Sequence, residues 1–283
     1  MVLPRLITAL IGAPLLLITI WCGNLPTLTL VLGIVFLALW EFYALCENAG
    51  YPTQLWSGLA MGLLLVLSLY ISGAPTGSQA QKPGMPFILT LLILASFLIE
   101  FARTDKGHSF LRISVTLLGL LFVAWPLGHL LLIRDIRMDD SNHLDVGRQL
   151  SYFILVCLWA QDIGAWAIGR WIGKKPFAAL ISPRKTWEGA VGGGLVCVAC
   201  GSLFRELFLQ SVFGRKETIL VCLFVSALAQ VSDLAGSFVK RSLGAKDFST
   251  LLPGHGGVLD RFDSFIFTIP LFYYYLIGTG RFL

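Results

Sequence analysis

Apolar residues along this chain gather into nine long runs separated by short polar stretches, at about 6–22, 25–46, 55–73, 86–102, 109–133, 150–172, 187–204, 218–239 and 262–278. Most come close to the roughly 20 residues that an α-helix needs to cross a hydrocarbon core about 30 Å thick. The pattern predicts an all-α, polytopic integral membrane protein with nine transmembrane helices and no large water-soluble domain. The first run follows Arg5 and contains Pro14, so alone it has the look of a signal peptide. Eight further spans, and no small-x-small cleavage site before the second, argue that it stays.

Composition agrees with the pattern. Of 283 residues, 56% are hydrophobic and 13% charged, whereas soluble domains carry about 25% charged residues. The formal charge of +5 says less than its distribution, and no nucleic-acid partner is expected. With a cytoplasmic N-terminus, thirteen of the 21 Lys and Arg fall on the cytoplasmic side, the bias that favours this orientation. The six cysteines, Cys22, Cys46, Cys157, Cys197, Cys200 and Cys222, all lie in or at the edge of apolar runs. There they read as small packing residues rather than disulfides. Cys197 and Cys200 have redox-motif spacing, but they sit mid-span without the strand–helix context of such a motif.

Charge is unevenly placed along the chain. Only Arg5, Glu41, Glu47, Lys82 and Glu100 are charged in the first hundred residues. Residues 1–80 therefore read as scaffold (spans 1–3), and 81–148 as a middle section (spans 4 and 5) and candidate oligomer interface. Residues 149–283 read as a catalytic section, spans 6–9 with their cytoplasmic loops. A carboxylate at the centre of a membrane helix costs at least ~2.5 kcal/mol on insertion scales, so Asp162 and Asp233 each need a reason. Asp162 shares a helical face with Trp166 and Gly169, and Gly164, Gly169 and Gly173 permit a neighbour's close approach. Asp233 is followed at helical spacing by Ser237 and by Lys240 or Arg241. The two faces can converge on one polar cavity; a helix-packing hydrogen bond or an ion pair is the plain alternative for either Asp alone.

The segment SFVKRSLGAKDFSTLLPGHGGVLDRFDS, residues 237–264, is the densest in chemistry. Pro253-Gly254 and Gly256-Gly257 suggest a tight turn whose amides can approach phosphate oxygens. Asp260 and Asp263, three apart at the start of the last span, are expected on one helical face. With Asp233 they make hard oxygen ligands suited to Mg²⁺ on a nucleotide triphosphate. A basic cytoplasmic loop touching anionic lipid explains Lys240, Arg241, Lys246 and Arg261, but not three Asp beside them. The loop GKKPFAALISPRKTWEGAVGGG, after span 6, repeats the theme with Lys174, Lys175, Arg184 and Lys185. Ser182 or Thr186 is expected to cap the next helix, with Glu188 in its first turn.

Residues 237–263 resemble the phosphatidate cytidylyltransferases (CDP-diacylglycerol synthases): Ser237-x-x-Lys240-Arg241, Lys246-Asp247, Pro253-Gly254-His255-Gly256-Gly257 and Asp260-Arg261-x-Asp263. The resemblance extends to Asp162-Ile-Gly-Ala-Trp with Gly169, to Ser182-Pro183-Arg184-Lys185-Thr186 with Glu188-Gly189, to Asp233, and weakly to Arg5 and Glu41-Phe42-Tyr43. One departure is Arg184 where that family often has Lys, which keeps the charge. The resemblance implies a nine-span helical membrane enzyme, often a homodimer; the compact single chain suits a bacterial inner membrane, and the charge bias places the site on the cytoplasmic face. Such an enzyme transfers a cytidylyl group from CTP to phosphatidic acid. By the same resemblance, Asp233, Asp260 and Asp263 ligate Mg²⁺ with Asp162 as a further contributor, and a second, monovalent cation is left open. Lys240, Arg241, Lys246 and Arg261 hold phosphates, and Ser237 belongs to the same substrate-binding segment. Ser182, Lys185 and Thr186 close over the substrate, while His255 either donates to a phosphate oxygen or fixes its loop. Asp233, Lys240, Arg241, Lys246, Asp260 and Asp263 form the expected catalytic set.

Rival functions fit less well. A secondary transporter is expected to show repeat symmetry and broken helices in both halves. A CDP-alcohol phosphatidyltransferase would carry Asp-Gly-x-x-Ala-Arg, which is absent. A prenyltransferase would have to use Asp139, Asp140 and Asp145, on the predicted outer face at the wrong spacing. His108, His129 and His143 read as structural or incidental.

Overall fold

In a computed structural model, residues 3–73, 84–138, 145–252, 254 and 256–281 are described. Lys82, Asp139, Asp140, His143, Pro253 and His255 lie outside them. Among the described residues, nine helices match the nine apolar runs: α1 (Leu3–Cys22), α2 (Asn24–Asn48), α3 (Leu55–Gly73), α4 (Met85–Ala102) and α5 (Ser109–Asp135), then α6 (Val146–Ile172), α7 (Trp187–Phe208), α8 (Arg215–Ser242) and α9 (Phe265–Gly278). Helices α2 to α8 are long and apolar enough to cross a membrane, and α1 and α9 contribute shorter apolar stretches. Large side chains such as Phe110, Leu180 and Trp171 stand more than four-fifths exposed. That would be a liability in water and suits contact with lipid or its interface.

Local chemistry sets the helix ends. Gly23 has φ 115° and separates α1 from α2, in a region open to glycine at little cost. Asp145 caps α6 by accepting the Arg148 N–H at 3.0 Å, and Thr186 Oγ1 caps α7 by accepting the Gly189 N–H at 3.1 Å. Thus Thr186, not Ser182, is the cap. A single π-helical turn at Leu120–Ala124 interrupts α5.

Two sequence expectations are corrected. The loop after α6 is a two-stranded antiparallel hairpin, β1 (Pro176–Ala178) and β2 (Ser182–Thr186). Glu188 holds its base by accepting the Lys174 and Lys175 N–H groups, and Phe177 packs edge-on to Trp187 at 4.5 Å. The last helix begins at Phe265 rather than 262, because Leu259–Arg261 forms a 3₁₀ turn. Asp260 therefore lies in that turn and Asp263 in the link that follows, and they do not share a face of α9.

The chain divides into two compact units, residues 1–136 with 243–262 and residues 137–242 with 263–283. In the first, α2, α3 and α5 pack on one another, and α4 packs on α3 and α5. The Tyr43 hydroxyl donates to Thr116 O at 2.8 Å. A buried polar knot sits beside it: Gln54 Nε2 donates to Ser96 O and Glu100 Oε1, both at 2.9 Å, and Arg112 donates to both Glu100 oxygens at 3.1 Å. Both partners are almost fully enclosed, so the charges depend on each other. In the second unit α6 lies closely along α7, α7 and α8 pack together, and α9 packs on α8. A Cβ added at Gly164 would come within 2.8 Å of Val196, so this glycine sets the approach of α6 to α7 as its spacing suggests.

Removing one partner of the knot leaves a buried charge uncompensated. Glu100→Ala is expected to cost about 3–5 kcal/mol, read as a lower thermal midpoint in detergent. Arg103→Ala, which removes a half-exposed partner 3.5 Å from Glu100, is expected to cost under about 1 kcal/mol.

Candidate active site

In the second unit, the two aspartates of the spans are brought together at a cavity of about 500 Å³, a volume in the usual range for small-molecule sites. Asp162 from α6 and Asp233 from α8 both line it, with Arg170, Arg184, Lys185 and Thr186. Trp166 and Phe177 supply apolar wall, and Gln161 and Gln230 supply polar groups. The hairpin matters here because it carries Arg184, Lys185 and Thr186 to the cavity, whereas Ser182 at the start of β2 is not among the lining residues.

Charge in the cavity is paired. Lys185 Nζ, a buried nitrogen, lies 2.5 Å from Asp233 Oδ2. An ammonium carries three donors, so this ion pair leaves capacity for an anion. A second pair follows one helical face further along α8, where Lys240 Nζ, on a buried residue, lies 3.4 Å from Asp263 Oδ2. Ser232 Oγ donates to Asp263 O and accepts the Phe267 N–H at 3.1 Å, fixing this link to α8. Gly236 makes room for Asp263, since a Cβ there would stand 3.0 Å from the Asp263 Cβ. Ser264 Oγ donates to Asp162 Oδ2 at 3.3 Å. Asp162, Asp233, Lys185, Lys240 and Asp263 therefore all belong to one unit. Ser237 is half-buried between Asp233 and Lys240 on α8, and Arg241 Nε reaches Ile181 O at the hairpin at 3.5 Å.

In the first unit, the Gly-rich turn has a different use from the one expected. Asp260 Oδ2 accepts the Phe248 and Gly257 N–H groups at 2.8 and 2.9 Å. Glu41 of α2 accepts the Val258 and Leu259 N–H groups at 2.8 Å each and the Ser249 hydroxyl at 2.6 Å. The amides of Gly257, Val258 and Leu259 are thus spent on protein carboxylates. Gly257 allows it, because a Cβ there would meet Glu41 Oε2 at 2.5 Å. Lys246, Asp247 and Arg261 are exposed on this segment.

Residues 3–278 match the cytidylyltransferase family. The chain belongs to that family. A phosphatidate cytidylyltransferase of Bacillus subtilis (strain 168) is 28% identical over 272 residues, 96% of each chain. One from Staphylococcus saprophyticus is 30% identical over 213 residues, 75% of each. One from Brucella suis biovar 1 is 43% identical over 121 residues, 43% of this chain and 44% of that one.

For a cytidylyltransferase, the donor set bears on the metal. Asp162, Asp233 and Asp263 are hard oxygen donors within one unit, which fits Mg²⁺ in chemistry. Among the described residues, however, no three carboxylates bring an oxygen each within 4.8 Å of one another, and lysines stand against two of them. Three lining residues went unread in the sequence, Arg170, Gln161 and Gln230. Gln161 accepts the Ser226 hydroxyl at 2.6 Å, and Gln230 Nε2 donates to Ala190 O and Ser226 Oγ at 3.3 Å. Their signal was available, since each is an uncharged polar residue in a span, one before Asp162 and three before Asp233. Glu41, read only as a weak resemblance, braces the loop.

Glu41→Ala removes the acceptor for two buried amides, each of which costs about 1–3 kcal/mol when left unsatisfied. It is expected to lower the thermal midpoint and to make residues 243–262 newly sensitive to limited proteolysis. Proteolysis unchanged from wild type would deny Glu41 its bracing role.

Proposed function

We propose that this chain is a phosphatidate cytidylyltransferase, which joins the cytidylyl group of CTP to the phosphate of phosphatidic acid and releases pyrophosphate. The observation that carries the reading is the cavity of the second unit, where a buried ammonium with unspent donors, two guanidiniums and two aspartates meet among membrane helices. A neutral solute would have no use for so many charges there; a polyphosphate would.

The phosphate monoester of the lipid is already anionic near neutral pH, its second pKa being about 6, so its oxygen attacks without a general base. A bond forms between that oxygen and the α-phosphorus of CTP, and the bond from this phosphorus to the β-phosphate oxygen breaks. Its electron pair leaves with pyrophosphate. Bringing two anions together is the chief obstacle, and fixed positive charge in a water-poor site answers it. We assign Lys185, Arg184 and Arg170 to the phosphates of CTP. Lys240 holds Asp263 in place and shares the charge of the incoming lipid phosphate, with Arg241 nearby on α8. Thr186 sets the start of α7, whose N-terminal amides suit an anion. Asp162, Asp233 and Asp263 would hold Mg²⁺, which supplies further neutralisation of the triphosphate when bound. Asp260 serves instead to position its loop. Lys246 and Arg261 keep the phosphate-contacting roles implied by the resemblance, and Ser182 and Ser237 flank the segments that carry Lys185 and Lys240. His255 lies outside the described residues.

The charge bias supports a cytoplasmic N-terminus, and the bacterial relatives support an inner membrane with this chemistry on its cytoplasmic side. A homodimer follows from the resemblance. Helix α4, the least enclosed of the long spans, is the candidate interface.

Purified protein supplied with CTP labelled at the α-phosphate and with phosphatidic acid is expected to make labelled lipid, and chelation of divalent cations is expected to stop it. No labelled lipid with or without Mg²⁺ would refute the proposal. Asp263→Asn should abolish turnover with the protein still folded in the membrane, and Lys185→Ala should slow it by about 10²–10³-fold.

A further inference from the structure

Cys157 of α6, Cys197 of α7 and Cys222 of α8 meet in the interior of the second unit, all three buried and all three reduced. Their sulfur atoms lie within 4.8 Å of one another, and Cys157 Sγ and Cys222 Sγ are 3.9 Å apart. Sequence spacing gave no hint of this, because the residues are far apart in the chain and the suggestive pair, Cys197 and Cys200, is not the one that forms. We propose that these three thiols are a binding site for a soft monovalent metal ion of the Cu(I) class, separate from the phosphate chemistry.

Geometry and ligand type both point there. Three sulfurs around an ion at about 2.3 Å would stand about 4.0 Å apart, and the observed 3.9 Å pair already has that spacing. The remaining sulfur needs to move by less than about 1 Å. A disulfide would instead require one pair to close to about 2.05 Å. Thiolate sulfur selects soft ions over Mg²⁺ or Ca²⁺. The surroundings select within that class. Phe153 and Gly201 stand beside the sulfurs, and a backbone oxygen, Cys222 O, accepts the Cys197 S–H at 3.5 Å. Cys200, one turn along α7 from Cys197 and only part-buried, is not within 4.8 Å of all three sulfurs, so the cluster offers three ligands rather than the four of tetrahedral Zn²⁺.

Charge sets the stoichiometry of protons. A net charge deep among membrane helices is costly, so one thiol deprotonates for one monovalent ion. The ion binds one thiolate and two thiols, and one proton leaves to solvent. Cys197, whose S–H already has an acceptor in Cys222 O, is suited to remain a thiol. A bound ion ties the middles of α6, α7 and α8 together. The same helices bear Asp162, the Thr186 cap and Asp233, so loading the site stiffens the frame that holds the cavity.

The test uses full-length protein in detergent, kept reduced and anaerobic, titrated with Cu(I) against a colorimetric Cu(I) chelator. A Cys22→Ser/Cys46→Ser/Cys200→Ser variant retains only the three buried thiols. It is expected to take up one Cu(I) per chain with a three-sulfur shell in X-ray absorption, and to unfold at a higher temperature when loaded. Cys157→Ser and Cys222→Ser in the wild-type background should each lose that three-sulfur signature. No uptake by the three-thiol variant, a shell of oxygen or nitrogen, or equal one-to-one uptake of Zn²⁺ would overturn the proposal.

Discussion

A carboxylate placed among membrane helices must have its charge answered, and much of this molecule is arranged around that requirement. Two unit charges 4 Å apart attract by about 4 kcal/mol at an effective dielectric of 20, enough to decide where loops lie. Lys185 answers Asp233, which pins the hairpin to α8. Lys240 answers Asp263, which pins the link into α9. Arg112 answers Glu100, and backbone amides with a serine answer Glu41. Each solution joins two different segments of the chain, so the groups that answer these charges also hold the fold.

That arrangement explains what was legible in the sequence. The nine helices were readable because a long apolar run has few alternatives in a bilayer, and their ends moved by only a few residues; seven of them, α2 to α8, are long and apolar enough to cross a membrane. The start of α9 was misjudged because Phe262 looks like the first residue of an apolar run, whereas the 3₁₀ turn at Leu259–Arg261 delays the helix. The hairpin was missed because Ser-Pro-Arg-Lys-Thr has little strand character, and Pro belongs at a strand edge. Its base is fixed by Glu188 from the following helix.

At the site, Asp162, Asp233, Lys185, Lys240 and Asp263 could be named from local pattern, because a charged residue in or beside a span is rare and demands a purpose. Their pairings could not, since Lys185 and Asp233 lie 48 residues apart and no spacing rule connects them. The Gly-rich turn shows the same limit from the other side. Gly256 and Gly257 announce exposed amides, but the Gly257 amide is taken by Asp260, and the next two, of Val258 and Leu259, by Glu41, more than two hundred residues earlier. The three-cysteine cluster is a still purer case, assembled by three helices with no local signal.

The central claim is that the Lys–Asp pairs serve both the folded state and the transfer reaction. It is tested most directly by a double-mutant cycle on Lys240 and Asp263, with thermal midpoint and CTP turnover read on the same preparations. Lys240→Met alone should lower the midpoint by leaving Asp263 without its counter-charge, and Lys240→Met/Asp263→Leu should recover much of that loss while remaining inactive. Turnover retained by the double variant, or a midpoint that falls additively with no recovery, would contradict it.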